Sequence, residues 1–222
     1  MPGVWAVLVA AGRGERLGDD RPKAFAKLGE LPLLAEPLRR LDENERIEGI
    51  VVVCPTGWEE PSILLAEQIG ASKVTACIAG GETRADSVRS GLDEVPDDAE
   101  IVLVHDAARP VLPAEVVDRL LAALGEGFDG AVPGLPVPDT TKRVADAVVV
   151  ETLDRSQLVA VQTPQAFAAP VLRAAFAREI AHATDCAQLV EASGGRVKVV
   201  AGDERLAKVT TRADLERVAA WL

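Results

Sequence analysis

Trp5-Ala-Val-Leu-Val9, an apolar run suited to a buried strand, leads straight into Ala10-Ala-Gly-Arg-Gly-Glu-Arg-Leu-Gly-Asp-Asp-Arg-Pro-Lys23. The loop carries Arg13, Arg16, Arg21 and Lys23 against three acids, a local reversal of sign in a chain of formal net charge -11. Gly12 and Gly14 let the backbone approach an anion with no Cβ in the way, and the long cationic side chains can close over it. The segment is therefore a candidate phosphate loop. Position 17 is leucine, so the dinucleotide-binding fingerprint fails, and no Gly-Lys-Ser/Thr follows, so it is not a Walker loop. A plain glycine turn between a strand and a helix is the alternative.

Outward from this segment, β-branched runs at 50–54, 74–78, 101–104 and 197–200 repeat the strand signature of 4–9. Between the first of them, residues 33–41, 63–69, 87–92 and 116–124 carry apolar side chains three and four apart, as amphipathic helices do. This βαβ alternation predicts an α/β fold, a Rossmann-like, mostly parallel sheet with helices on both faces. Ligands of such sheets sit beyond the carboxyl ends of the strands, where the strand order reverses. The basic loop and Asp106 both fall at strand ends of that kind. The stretch 132–153 breaks the rhythm with Pro133, Pro136 and Pro138, then two short β-type runs about Ala145-Asp146. It reads as a projecting arm, 136–155, within one domain spanning 1–222. Thr211-Arg-Ala-Asp214 has capping-box form and opens a last helix.

Composition narrows the function. A chain of 222 residues that is 48% hydrophobic has ample material for a core, and 35 acids against 24 bases argue against a general nucleic-acid binder. Three cysteines, Cys54, Cys77 and Cys186, have no metal-ligand spacing and read as reduced and structural. No apolar run approaches the roughly 20 residues that span a bilayer, so a soluble cytoplasmic protein without membrane or nucleic-acid partners is expected.

Three further constellations carry chemistry. In Val104-His-Asp-Ala-Ala-Arg-Pro110, Asp106 ends a buried strand and is a candidate ligand for a hard divalent cation; capping the next turn or pairing with Arg109 are the alternatives. His105 reads as a packed neighbour, since it has no nucleophilic partner. Gly80-Gly-Glu-Thr-Arg-Ala-Asp-Ser-Val88 is a second glycine turn, whose exposed backbone can read a nucleobase edge with help from Ser87, or else is a tight turn with a helix cap. Thr184-Asp185 begins another helix, with Thr184 competent to cap it, and Lys208 sits in a short extended run before the last helix.

Taken in order, Ala-Ala-Gly-x-Gly-x-Arg with Pro-Lys, Gly-Gly-x-x-Arg-x-x-Ser-Val, His-Asp-Ala-Ala-Arg-Pro, Asp-Thr-x-Lys, Arg155 eight residues before Thr163, Gln-Thr-Pro-Gln and Thr-Asp resemble the 2-C-methyl-D-erythritol 4-phosphate cytidylyltransferase family over nearly the whole chain. The resemblance implies a nucleotide-diphospho-sugar transferase type of fold and transfer of a cytidylyl group from CTP to a small sugar-alcohol phosphate in non-mevalonate isoprenoid synthesis. It implies that Ala10, Ala11, Gly12, Arg13, Gly14 and Glu82 contact the nucleotide, that Gly80, Gly81 and Ser87 select cytosine, and that Asp106 and Ala107 complete that side, Asp106 with magnesium or another divalent cation. Arg16, Lys23 and Lys208 become the catalytic cations. Arg109, Thr140, Arg155, Thr163 and Thr184 hold the sugar phosphate, in a homodimer that exchanges its arms. Two positions depart from the family pattern: Ala24 stands where glutamine is usual, and Cys186 where an acid is common. A ribitol 5-phosphate cytidylyltransferase shares most of these motifs, and a non-catalytic nucleotide-binding module is the reading from another class.

Overall fold

The computed structural model describes residues 3–12, 21–177 and 183–222. In chain order these form β1 (Val4–Val9), β2 (Lys27–Leu28), β3 (Leu31–Pro32), α1 (Ala35–Asp42), β4 (Gly49–Cys54), α2 (Glu59–Ile69), β5 (Val74–Ala79), α3 (Arg84–Asp93), β6 (Ile101–Asp106) and α4 (Ala114–Gly125). After them come β7 (Gly130–Pro136), β8 (Lys142–Ala145), β9 (Val148–Thr152), β10 (Val159–Val161), β11 (Gln165–Ala168), α5 (Ala169–Phe176), α6 (Cys186–Ala192), β12 (Val197–Ala201) and α7 (Arg212–Ala219).

Every residue of β4 is buried, as a run of Ile and Val with both faces covered must be. The alternation of side chains along a strand divides the core into two layers. Ala6, Leu8, Ile50, Val52 and Leu103 face Leu38, Leu41, Leu65, Val116 and Leu120 of α1, α2 and α4. Val7, Val51, Val53, Val102 and Val104 face Val88, Leu92, Leu172 and Val190 of α3, α5 and α6.

In the sheet β5, β4, β1 and β6 are neighbours in that order and all parallel; β11 then runs antiparallel between β6 and β7, and β12 pairs with β7 in parallel. From β1 the chain moves out to β4 and β5 on one side and returns to β6 on the other. The order therefore reverses at the β1/β6 gap, which opens a crevice above the strand ends. The ends stay registered there: Ala10 N–H donates to Val53 O at 2.7 Å, Gly80 N–H to Cys54 O at 2.8 Å and Ala107 N–H to Val9 O at 2.9 Å.

The stretch that opens at Val132 divides between the sheet and the arm expected at 136–155. Val132 to Pro136 belongs to β7, a sheet strand flanked by β12 and by β10 and β11, despite its two prolines. Pro133 still supplies a carbonyl, which accepts the Gln162 N–H at 2.8 Å. Only β8 and β9 project, as an antiparallel hairpin whose turn residues Asp146 and Ala147 take φ of 48° and 63°. Such a primed turn matches the twist of its strands. Helix α6 is capped by Asp185, whose carboxylate accepts the Gln188 N–H at 2.9 Å, while Thr184 donates to the Gln188 side chain instead of capping. The last helix starts as its sequence predicts, with Thr211 and Asp214 capping each other's backbone.

Candidate active site

The crevice over β1 and β6 has a volume of about 880 Å³ and gathers residues from separate parts of the chain. Ala10, Ala11 and Gly12 follow β1; Lys23 and Ala24 open a 3-10 turn; Gly81, Glu82, Thr83, Arg84 and Ser87 come from the β5–α3 turn; Asp106 and Ala107 end β6, and Lys208 precedes α7. Arg13, Gly14 and Arg16 lie outside the described residues.

Each wall is fixed by local chemistry. The Ala24 methyl is buried, and its carbonyl accepts the Leu34 N–H at 2.8 Å, so this turn is anchored through the backbone where a glutamine side chain is usual. Phe25 packs on Trp58 with ring centroids 4.4 Å apart. Across the crevice, Ser87 Oγ accepts the Gly81 N–H at 3.2 Å and donates to Thr83 O at 3.0 Å, which locks the second glycine turn. Gly80 is needed there because a Cβ would sit 2.3 Å from the Ala11 Cβ and 2.7 Å from Ser87 Oγ. The two glycine segments touch.

At the floor, Asp106 is buried with cations on both oxygens. Arg84 Nε donates to Oδ1 at 2.9 Å with Nη2 at the same distance, and Lys208 Nζ donates to Oδ2 at 2.8 Å. Burial alone would raise the Asp106 pKa; the charges of Arg84 and then Lys208 outweigh it and hold the carboxyl well below the usual carboxylate range. Burial likewise works against the Arg84 charge, and the Asp106 carboxylate reverses that effect. Arg84 Nη1 also reaches Cys186 Sγ at 3.7 Å, and burial pushes that thiol up to about 11. A neutral thiol thus completes the Arg84 environment.

Sequence reasoning gave Arg84 no role and offered Arg109 only as one alternative partner for Asp106. The Arg109 guanidinium turns away, donating to Leu206 O at 2.5 Å and Val161 O at 3.5 Å. A signal for Arg84 existed. A cation in the first turn of a helix opposes the helix dipole, so it needs an anion from elsewhere in the fold.

Beneath Asp106 lies a neutral hydrogen-bond chain with determined proton positions. Arg109 O can only accept, so His105 Nε2, 3.0 Å away, carries the hydrogen; Nδ1 then accepts from Thr163 Oγ1 at 3.1 Å, and that oxygen accepts the Asp106 N–H at 3.0 Å. Thr163 is therefore buried and engaged in holding Asp106. Burial lowers the His105 pKa from 6.5 to about 4. A base with a depressed folded-state pKa contributes stability that is full above about pH 6.5 and is lost as pH falls toward 4, by about 3 kcal/mol in all. Urea unfolding between pH 7 and pH 4.5 should show this loss in the wild type and a flatter profile in His105→Gln; equal slopes would contradict it.

The remaining sequence-predicted residues do not line the crevice of their own chain. Thr140 is exposed at the arm's entry, Arg155 Nη1 donates to Pro138 O and ties the arm's exit to its entry, and Thr184 sits beside the start of α6. Glu82 is the one other carboxylate among the described lining residues, and no three His, Cys, Asp or Glu side chains among the described residues converge on one point. One or two carboxylates are what magnesium usually takes from a protein when substrate phosphates complete its shell. The donor set fits an ion that arrives with a nucleotide.

The family model for 2-C-methyl-D-erythritol 4-phosphate cytidylyltransferase matches residues 4–222. The chain belongs to that family. It is therefore a nucleotidyltransferase, with the α/β fold of that enzyme family. The 2-C-methyl-D-erythritol 4-phosphate cytidylyltransferase of Frankia casuarinae is 45% identical over 217 residues, covering 96% of this chain and 79% of the relative. The bifunctional IspD/IspF enzyme of Clavibacter michiganensis is also 45% identical over 97% of this chain, which spans about half (53%) of that longer relative. Among solved structures, 4-diphosphocytidyl-2C-methyl-D-erythritol synthase from Anaerococcus prevotii superposes with a TM-score of 0.85 at 27% identity, covering 99% of this chain and 98% of its own.

Proposed function

We propose that the crevice binds CTP with its triphosphate between Lys23 and Lys208 and its base against the Gly80–Ser87 turn, so that a phosphate oxygen of 2-C-methyl-D-erythritol 4-phosphate attacks the α-phosphorus and pyrophosphate leaves. The observation that carries this reading is the meeting of Lys23, Arg84 and Lys208, from three separated segments, in one crevice beside a single buried carboxylate. A phosphate monoester with a second pKa of about 6 is largely dianionic at neutral pH, so its oxygen is already nucleophilic. No base is needed, which suits a site whose histidine is buried, neutral and committed to hydrogen bonds. The obstacle is repulsion between two anions and the charge that builds on the transferring group. Lys23 and Lys208 offset it by sitting ready in the crevice, and Arg16 is assigned to the same task. Asp106 is the residue to hold a divalent cation, which when bound supplies further positive charge to the phosphates.

The locked Gly80–Ser87 turn offers backbone groups in fixed positions, which supports its assignment to the cytosine edge. Pyrophosphate release tests the reading, with CTP and magnesium supplied and methylerythritol phosphate or ribitol 5-phosphate in parallel. Release with the first acceptor, falling sharply when UTP, ATP or GTP replaces CTP, is expected. Faster release with ribitol phosphate, or none with either acceptor, would overturn it.

The arm supports a homodimer. Val144, Val148, Val149 and Val150 are 55% to 64% exposed on a two-stranded hairpin, and Val159, Val161 and Val199 are 40% to 48% exposed on β10 and β12. A lone hairpin is marginal in water, and clustered exposed valines mark a surface to be covered. The assignment of Thr140 and Arg155 to the sugar phosphate requires a second chain, because neither lines its own crevice. In sedimentation, the wild type should run near twice the 23.4 kDa chain mass, and Val148→Asp/Val150→Asp should run as a monomer. A wild-type monomer would refute the exchange. No helix among the described residues is long and apolar enough to cross a membrane, and a cytoplasmic site of action is part of the proposal.

A further inference from the structure

Asp106 is the carboxylate at the crevice floor, yet neither of its oxygens is open. Its two cations hold it differently. Arg84 donates to Oδ1 from Nε, with Nη2 also 2.9 Å from that oxygen, is 27% exposed in its side chain, and is braced on its other side by Cys186. Lys208 meets Oδ2 through one nitrogen, is 43% exposed, and reaches in from an extended segment pinned by the Val209 N–H to Ala108 O bond of 2.7 Å. The floor therefore carries two positive charges against one negative, with Lys23 and Glu82 also on the crevice lining. Such a site repels a bare divalent cation and attracts a polyphosphate.

We infer that Lys208 is an exchangeable plug on Asp106: it covers Oδ2 in the free chain, moves to a phosphate oxygen when the triphosphate enters, and thereby opens that one oxygen to a divalent cation, while Arg84 stays on Oδ1. The inference rests on the nucleotide reading for its second step; the first step, that Lys208 keeps the cation out, is a property of the free chain. Arg84 sets the outcome of the exchange. By remaining on Oδ1 it leaves Asp106 a single oxygen to give, and the rest of the ion's shell has to come from the nucleotide and water. Metal binding is thus tied to nucleotide binding through one side chain, and a free ion gains no hold on the site ahead of the substrate.

The test is Mn²⁺ binding, followed by electron paramagnetic resonance, with no nucleotide present. Wild type and Lys208→Arg, which keeps the cation on Oδ2, should bind Mn²⁺ weakly. Lys208→Met should bind one ion more tightly by on the order of tenfold, the effect of removing a unit charge adjacent to the ligand oxygen. The gain should vanish in Lys208→Met/Asp106→Asn. Melting curves of the same samples report the fold, since Lys208→Met leaves Asp106 paired with Arg84. Mn²⁺ affinity in Lys208→Met no greater than in wild type, or a gain that survives Asp106→Asn, would overturn the inference. Because no CTP or acceptor is present, that result would leave the transferase reading intact, whereas failure of pyrophosphate release would not touch the Mn²⁺ result.

Discussion

Lys208→Ala and Lys23→Ala should each lower turnover by about 10²-fold or more while changing the free energy of unfolding by no more than about 1 kcal/mol. The asymmetry follows from where the two residues sit. Both line the crevice and neither contributes to the core, so truncation leaves the packing in place. Lys208 contributes one exposed-side contact to Asp106, and Arg84 remains as counter-ion when it is gone. The transferring phosphoryl group, in contrast, gathers negative charge as a second anion approaches, and a preorganised cation at that point is typically worth about 3 kcal/mol of barrier. Steady-state pyrophosphate release at saturating CTP, paired with urea unfolding, separates the two quantities. Turnover within about threefold of wild type in either variant would remove that lysine from the catalytic role.

Asp106→Ala should fail in the opposite sense, losing stability as well as activity. Removing the carboxylate leaves the Arg84 guanidinium partly buried with no anion, and breaking a buried pair by deleting one partner costs about 3–5 kcal/mol. For a chain of this size, that lowers the melting temperature by about 10 °C. The pH dependence has a definite sign. An acid whose pKa is depressed in the folded state contributes stability above its unfolded value of about 4 and loses it as pH falls through the folded value, so the Asp106 contribution lies at more acid pH than the His105 loss. Wild type should therefore lose stability in two successive acid steps, and the lower one, to which Asp214 and other hydrogen-bonded carboxylates also contribute, should be smaller in Asp106→Ala. Melting temperatures of Asp106→Ala within about 2 °C of wild type at pH 7 would mean that Arg84 finds another partner or that the pair adds little.

The sheet was legible where burial on both faces leaves no choice of residue. β1, β4 and β6 are rich in Val, Ile and Leu and mostly buried, and the helices between the strands repeat at helical spacing. β7 was hidden because Pro133, Gly134 and Pro136 read as breakers, although a strand can still use a proline's carbonyl. β10 and β11 were hidden for another reason. They lie along one edge of β7 but are separated by Gln162, Thr163 and Pro164, so each is too short to show a period. In the site, the first glycine turn stood out because cations cluster on it in an acidic chain, and Asp106 because a carboxylate ending a buried strand faces the ligand crevice. Arg84 did not, because a cation in a helix's first turn signals only that an anion lies elsewhere, and the fold is what sets a buried carboxylate 2.9 Å away. Thr163 and His105 show the same limit: the bond that joins them crosses 58 residues of sequence.

A crystal structure of the chain with CTP and magnesium tests the central claim most directly. Phosphate oxygens should lie between Lys23 and Lys208 in the β1/β6 crevice, with Lys208 Nζ drawn off Asp106 Oδ2 and Arg84 still on Oδ1. A triphosphate seated elsewhere, or one in the crevice that neither lysine touches, would contradict it.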